Sequence, residues 1–499
     1  MTHNVSTESN ENDGDRANRL ARYRDALDKT NGLIDLASEL IKSPELIRAR
    51  SEERMARLRK LLGALGDPHL RYRVVHVGGT SGKGSTSVMT ASLLRAYGLR
   101  TGLHTSPYLQ VATEKIQIDG RLLDYETFHR SVGQVIGTAN ASGIGHINYG
   151  EAWFAIVALV FAWAKVDVAV IEVGAGGRFD LTNVVEPEVS IITSVGYDHM
   201  ESLGSTIAEI AWHKAGIIKH GAPVVCAVID NKALAVIRDE AERQVSEFLP
   251  VVANVTFGAR RTEHGTYDWW EKDAPESVYA SAMPGRYQAT NAATALTAVR
   301  RLIAPQSIAE ESIRKALASA RLPGRWEVVS QGPEVILDGA HNPEKSAALA
   351  RDLRTRRTER TGSRIIVVLG VLESKDRMGV LKELVNVADE LVTTSPSVLA
   401  KPGSSAAALA ADARSLGFIG PISQFDNSRE AIDFAVAHAS PEDLVVVTGS
   451  LYLIGNVRGR WFPDDEIVLQ QTSWPAKQPL SSSSPGKHAD STAKDEIPE

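Results

Sequence analysis

The sequence predicts an α/β protein of two domains, each a mainly parallel sheet covered by helices, and three observations predict it. Short continuous apolar runs, such as Val74-Val75-His76-Val77, Val168-Ala169-Val170-Ile171 and Val189-Ser190-Ile191-Ile192, alternate with stretches of helical periodicity. An unbroken apolar run suits a strand buried on both faces, as in a parallel sheet. The rhythm then restarts after a loop-rich interval near 255–285, with Val335-Ile336-Leu337, Ile365-Ile366-Val367-Val368-Leu369 and Leu444-Val445-Val446-Val447. Between the halves, Leu322-Pro323-Gly324 interrupts the helical pattern and sets a boundary near 318–326.

In chain order, residues 1–20 are polar and acidic and are expected to be disordered. Leu20 to Leu65 shows helical spacing, and its basic stretch Arg48 to Lys60 is balanced by Glu52 and Glu53, which reads as a solvated face. A first domain is expected over 21–320 and a second over 321–474. The tail 475–499, with its Ser481-Ser482-Ser483-Ser484-Pro485 run, is expected to be disordered.

Composition narrows the class. The chain has 499 residues, 43% hydrophobic and 23% charged, the balance of a soluble globular protein. A net charge of −6 gives no support to nucleic-acid or membrane-surface binding. Cys226, the single cysteine, lies in an apolar run and reads as a buried hydrophobe. One thiol builds neither a disulfide framework nor a zinc site, so a reducing, cytoplasmic setting is expected. The N-terminus lacks the apolar stretch of a signal peptide. The longest apolar run, Ala152 to Ala164, is too short to span a bilayer.

The strand at Val74–Val77 runs into Gly78-Gly79-Thr80-Ser81-Gly82-Lys83-Gly84-Ser85-Thr86, followed by a helical pattern. Glycines let the backbone turn tightly and aim N–H groups at phosphate oxygens. The helix N-terminus adds positive partial charge, Lys83 can reach terminal phosphates, and Ser85 or Thr86 can support Mg²⁺. The spacing is shorter than the standard GxxxxGK[ST], and Gly84 follows the lysine. Such a loop implies nucleotide binding without naming a reaction.

GTSGKGST closely resembles the GTNGKGS loop of folylpolyglutamate synthases and dihydrofolate synthases, members of the Mur ligase superfamily. The resemblance continues in order from about Leu61 to Val457. Gly102 to Leu109 resembles GLYTSPHL, Glu172 to Asp180 resembles EVGLGGRLD, Thr193 to His199 resembles ITSIGLDH, and Lys214 to Lys219 resembles KAGIIK. In the second half Asp338 to Pro343 matches DGAHNP and Gly449 to Leu453 matches GSLYL. The resemblance implies a P-loop Mur-ligase-type ATPase domain followed by a smaller Rossmann-like ligase domain.

It also implies the chemistry: ATP converts a carboxylate into an acyl phosphate, which an amine then attacks. Carried over motif by motif, Ser106, Glu151 and His199 are the implied Mg²⁺ ligands, although Gly150 stands where the family usually has an aromatic residue. Lys214 matches the lysine that this superfamily carbamylates, with His213 where glutamate is common. Asn291 and Arg325 are the implied nucleotide contacts, Arg325 at the γ-phosphate, where a planar fork suits phosphate oxygens. Asp338 is expected at the ribose hydroxyls with His341 beside it, and Ser450 and Tyr452 on the amino-acid side.

The leading reading is a monomeric folate-pathway ligase with small-molecule substrates only, adding L-glutamate to dihydropteroate, to folate glutamates, or to both. A Mur-type ligase for a non-folate carboxylate and an inactive nucleotide-binding regulator are the alternatives. His76 is expected to be a satisfied core histidine, and Trp269-Trp270 to pack or form a surface feature.

Overall fold

The computed structural model describes residues 13–34, 44–198, 200–262, 266–360, 362–399 and 401–476. The apolar runs form the strands they predict. An eight-stranded sheet contains β1 (Arg73–Gly78), β2 (Thr101–His104), β3 (Ile116–Ile118), β4 (Arg121–Leu122), β5 (Val168–Glu172), β6 (Val189–Ile192), β7 (Val224–Cys226) and β8 (Phe248–Pro250). Its order is β4-β3-β2-β5-β1-β6-β7-β8. From β2 to β8 the neighbours are parallel, while β3 and β4 add an antiparallel edge. Every residue of β5 is buried, as strands covered by helices on both faces require.

The interval 255–285, expected to be loop-rich, instead carries a small antiparallel sheet of β9 (Phe257–Arg261), β10 (Tyr267–Glu271) and β11 (Tyr279–Ala280). Its strands are short and interrupted by charge, with Gly258, Arg260 and Arg261 in β9 and Asp268 and Glu271 in β10, and so resemble loops in sequence, but Trp269 is fully buried against Phe257 and Tyr279 and anchors them.

The second α/β unit has six strands: β12 (Glu327–Gln331), β13 (Glu334–Leu337), β14 (Ile365–Leu369), β15 (Glu390–Thr393), β16 (Ile422–Gln424) and β17 (Leu444–Thr448). They run in the order β12-β13-β17-β14-β15-β16, and only β12 is antiparallel.

Two expectations at the ends are corrected. A helix begins at Asp13, and Leu20 and Tyr23 are buried in the first core, so residues 13–20 are ordered by packing their apolar face; residues 1–12 lie outside the described residues. The second domain does not keep everything to residue 474. The helix Asp464–Gln470 returns to the first unit, where Ile467 and Val468 join that core and Glu466 meets Arg16 at 2.8 Å. Pro475 and Ala476 are described, Ala476 exchanging hydrogen bonds with Gln470, and the rest of the tail lies outside the described residues.

Candidate active site

Open parallel sheets bind ligands beyond the carboxyl ends of their strands. Here the ends of β1, β2, β5 and β6 face the ends of β13, β14 and β17, and a cleft lies between. Its lining includes Gly84, Ser106, Tyr108, Glu172, Arg325 and Leu451.

The phosphate loop follows β1. Gly79 has φ +148° and Gly82 has φ +88°, the region where glycine has no penalty. A Cβ at Gly79 would collide with Thr193 Oγ1, and one at Gly82 would lie 2.5 Å from Asn291 Oδ1. The loop after β6 braces the turn. Thr80 N–H donates to the Ser194 carbonyl at 2.9 Å, Ser81 N–H to Ser194 Oγ at 2.8 Å, and Thr193 Oγ1 donates to the Ser81 carbonyl at 2.7 Å. Gly82 caps the helix Lys83–Ala96. Lys83 Nζ folds back to the Gly79 carbonyl at 3.1 Å. Ser85 is buried and accepts from Gln288 at 3.4 Å, and Gln288 also accepts from Asn291 at 2.9 Å. Ser81 Oγ and Thr86 Oγ1 are buried without a protein partner. Buried polar atoms normally find one, so these hydroxyls fit a ligand with oxygen atoms.

The carboxylate beside this loop is Glu172, the last residue of β5. It accepts the Ser106 N–H at 3.0 Å, and Gly84 packs against it. Burial raises its pKa, opposed by Lys83, the Ser106 N–H, Arg325 and Lys345. Glu151, the implied metal ligand, is engaged elsewhere. It is fully buried at the start of the helix Tyr149–Trp163, caps Asn148 N–H at 2.8 Å and takes Arg57 Nη2 at 2.8 Å. Its oxygens serve the helix cap and the ion pair, and none of its hydrogen bonds involves the loop or Ser106. That pair also corrects the reading of Arg48 to Lys60 as a purely solvated face. His199 lies outside the described residues.

Among the described residues no group of three or more His, Cys, Asp or Glu is arranged to hold a metal. Glu172 and the Ser106 hydroxyl are nonetheless the hard oxygen donors that Mg²⁺ takes. Lys214, in the helix Ile207–Ala215, is buried, and burial with help from Lys83 brings its pKa down to about 7.

Across the cleft, Arg325 lies against Gly339 and donates to the Gly324 carbonyl at 3.2 Å. Asp338 ends β13, and its two oxygens accept the N–H groups of Trp326 at 2.9 Å and Ala340 at 3.0 Å. Burial raises its pKa, opposed by Arg325. His341 Nδ1 donates to the Gly339 carbonyl at 2.8 Å, so Nε2 is free to accept from Lys345 Nζ at 3.1 Å. Desolvation holds this imidazole neutral. Ser450 caps the helix Leu451–Arg458, accepting the Tyr452 N–H at 3.1 Å, and the Tyr452 hydroxyl accepts from Lys401 at 3.0 Å.

Glu172, Lys345 and Lys375 were not singled out in the sequence, and Asp198 entered only beside His199 in the Thr193–His199 motif, without a role of its own. Glu172 had a readable signal, a charge closing the buried run Val168–Ile171. His76 and Cys226 are buried as expected, His76 Nε2 meeting Thr182 Oγ1 at 2.9 Å.

With this geometry, comparison with known proteins is decisive. Residues 77–299 match the Mur ligase middle domain, and 324–451 match the Mur ligase glutamate ligase domain. The dihydrofolate synthase/folylpolyglutamate synthase of Bacillus subtilis is 36% identical over 417 residues, 81% of this chain and 94% of the relative. The chain belongs to the folylpolyglutamate synthase/dihydrofolate synthase family of Mur ligases. Folylpolyglutamate synthase from Mycobacterium tuberculosis, complexed with ADP, superposes with a TM-score of 0.76 at 28% identity, covering 89% of this chain and 99% of that one. The bifunctional synthase from Yersinia pestis, complexed with AMPPNP and Mn, gives 0.67 at 29% identity over 80% and 92%. This ligase family forms C–N bonds and uses ATP and a divalent metal, which the phosphate loop and its hydroxyls suit. Among the described residues no helix is long and apolar enough to cross a membrane.

Proposed function

We propose that this chain joins the amino group of L-glutamate to the carboxylate of dihydropteroate, of a folate glutamate, or of both, and that it works as a cytoplasmic monomer. The observation that carries the reading is the facing of Lys83 and Glu172 on one domain by Arg325, Lys345 and His341 on the other. Hydroxide is a poor leaving group, so the acceptor carboxylate attacks the γ-phosphorus of ATP and ADP departs. The amine then attacks the acyl carbon and phosphate departs. Most of the catalysis of such a transfer is positioning and charge stabilisation.

In this reading Lys83 and the loop N–H groups hold the β- and γ-phosphates, and Asn291 fixes the loop against which the nucleotide lies. Arg325 donates to the γ-phosphate, and Asp338 accepts from the ribose. Ser106 and Glu172, with His199, are the candidate Mg²⁺ ligands, Glu172 taking the place first given to Glu151. Bound there, Mg²⁺ would neutralise phosphate charge. Lys214 has the neutral amine population that carbamylation by CO₂ requires, because burial disfavours its ammonium. Ser450 and Tyr452 stand on the amino-acid side.

An ATP-dependent assay with dihydropteroate and tetrahydrofolate offered separately, each with L-glutamate, tests the reading. ATP binding without ligated product from either acceptor would reject it. Lys83→Ala should abolish phosphoryl transfer, and intact-mass measurement should show a carbamate-sized increment on Lys214.

A further inference from the structure

Lys345 is expensive where it stands. It is the third residue of the helix Pro343–Glu359, and its N–H donates to the Asn342 cap at 2.9 Å. A cation in a helix's first turn opposes the macrodipole. Its neighbours compound that cost, because Lys83, Arg325 and Lys375 are all cations close enough to depress its pKa, which burial brings to about 7. The opposing carboxylates are engaged elsewhere: Asp198 holds Lys375 Nζ at 2.6 Å, Glu172 accepts the Ser106 N–H, and Asp338 accepts the N–H groups of Trp326 and Ala340. The hydrogen-bond partner of Lys345 is a neutral imidazole, His341 Nε2, which orients the ammonium without compensating it. A desolvated charge normally has a counter-ion. Among the described residues no carboxylate hydrogen-bonds Lys345, and cations from both walls of the cleft stand near it, which suits an incoming anion.

We propose that Lys345 is a second contact from the C-terminal domain to the γ-phosphoryl group, beside Arg325, donating to one of its oxygens from the side opposite Lys83. This rests on the ligase reading and adds to it a catalytic residue. The loop of the first domain takes the diphosphate portion and Lys345 is on the second domain, so of the three phosphoryl groups the terminal one, which must meet the acceptor in the cleft, is the one that lies between them. When the acceptor carboxylate attacks, a P–O bond to the acceptor forms, the bond to ADP breaks and its electron pair leaves with ADP. Lys345 keeps its hydrogen bond to the phosphoryl oxygen, and so follows the group into the acyl phosphate. When the amine attacks, the C–N bond forms, the C–O bond breaks, its electron pair leaves on phosphate, and the amine's extra proton passes to solvent. His341 is a positioning residue that aims Lys345.

The test compares nucleotides that differ at the terminal phosphate. Affinities of the full chain for ADP and for the β,γ-methylene analogue of ATP, both with Mg²⁺, are measured by calorimetry. Lys345→Met and Lys345→Gln should lose about 10- to 100-fold in analogue affinity, the worth of a charge-assisted hydrogen bond, while ADP affinity changes less than about threefold. Lys345→Arg should recover part of the loss. An unchanged ratio of the two affinities, or an equal loss for both nucleotides, would overturn the proposal. Should the methionine variant fail to fold, the glutamine variant decides, since it keeps a polar head of similar reach. Hydroxylamine trapping without glutamate then reads acyl phosphate, which should fall at least tenfold in the same variants. Wild-type protein that binds the analogue but makes no product with any folate acceptor would reject the folate reading and leave the nucleotide ratio to decide Lys345.

Discussion

Lys375 Nζ donates to Asp198 Oδ1 at 2.6 Å, joining the loop after β14 to the loop after β6 across the cleft. Both side chains are largely covered, 14% and 10% exposed. Asn342 Nδ2 donates to the other oxygen of Asp198 at 3.5 Å, and His341 Nε2 lies 3.8 Å from it. One carboxylate therefore gathers the second domain onto the first just beside the phosphate loop.

That geometry predicts coupling. Removing one partner of a mostly buried pair leaves an uncompensated charge and costs about 3 kcal/mol. Asp198→Asn and Lys375→Met, measured singly and together by urea unfolding, should be non-additive by about 1 kcal/mol or more. Small-angle scattering should also show a larger radius for each single variant in the absence of nucleotide. Strictly additive stabilities would mean that the pair is incidental to holding the domains together.

Two glutamates separate structure from chemistry. Glu151 pairs with Arg57 and caps its helix, so Glu151→Ala should lower stability by about 3 kcal/mol, read from the denaturation midpoint. Glu172 faces the phosphate loop, where Glu172→Gln should cut phosphoryl transfer about 100-fold or more while leaving the unfolding midpoint unchanged or higher. The reverse pattern would return the metal-site assignment to Glu151.

The same two residues show what sequence can convey. The phosphate loop was legible because strand, glycines, lysine and helix are consecutive, and the structure folds them as one turn. Asn291 was placed at the nucleotide by resemblance alone, and it packs on Gly82 of the loop. Glu151 and Glu172 are the same residue type, and the choice depends on which ends a strand at the cleft, a tertiary fact. Asp198 and Lys375 are 177 positions apart, and only the facing of two sheet edges makes them neighbours. The antiparallel strands β9 to β11 were missed because their stabilising contact, the packing of Trp269 on Tyr279 and Phe257, is non-local.

Gly82 sets the shape of the loop. At φ +88° a Cβ is strained, and it would also lie 2.5 Å from Asn291 Oδ1. Gly82→Ala should therefore weaken ATP binding about tenfold or more, with a stability loss of about 1–3 kcal/mol at most. Calorimetry and thermal unfolding of that variant separate the two effects. Wild-type affinity for ATP would show that the loop does not need this conformation.

Asp352 provides the pH dependence. It lies on the helix Pro343–Glu359, and burial first, then the charge of Asp338, raises its pKa to about 6. The folded protein thus holds this proton more tightly than the unfolded chain, whose carboxyl titrates near its ordinary value. Between about pH 4 and pH 6 stability should fall as pH rises, and the full cost is present above the folded pKa. A shift of this size would correspond to about 3 kcal/mol for a fully buried group, and solvent screening of this partly exposed one reduces it to about 1 kcal/mol. Asp352→Asn should accordingly be more stable than the parent at neutral pH by about that amount, and the difference should vanish near pH 4. Urea midpoints collected across that range check the sign directly, since an ion pair stabilising Asp352 would make the variant less stable at neutral pH.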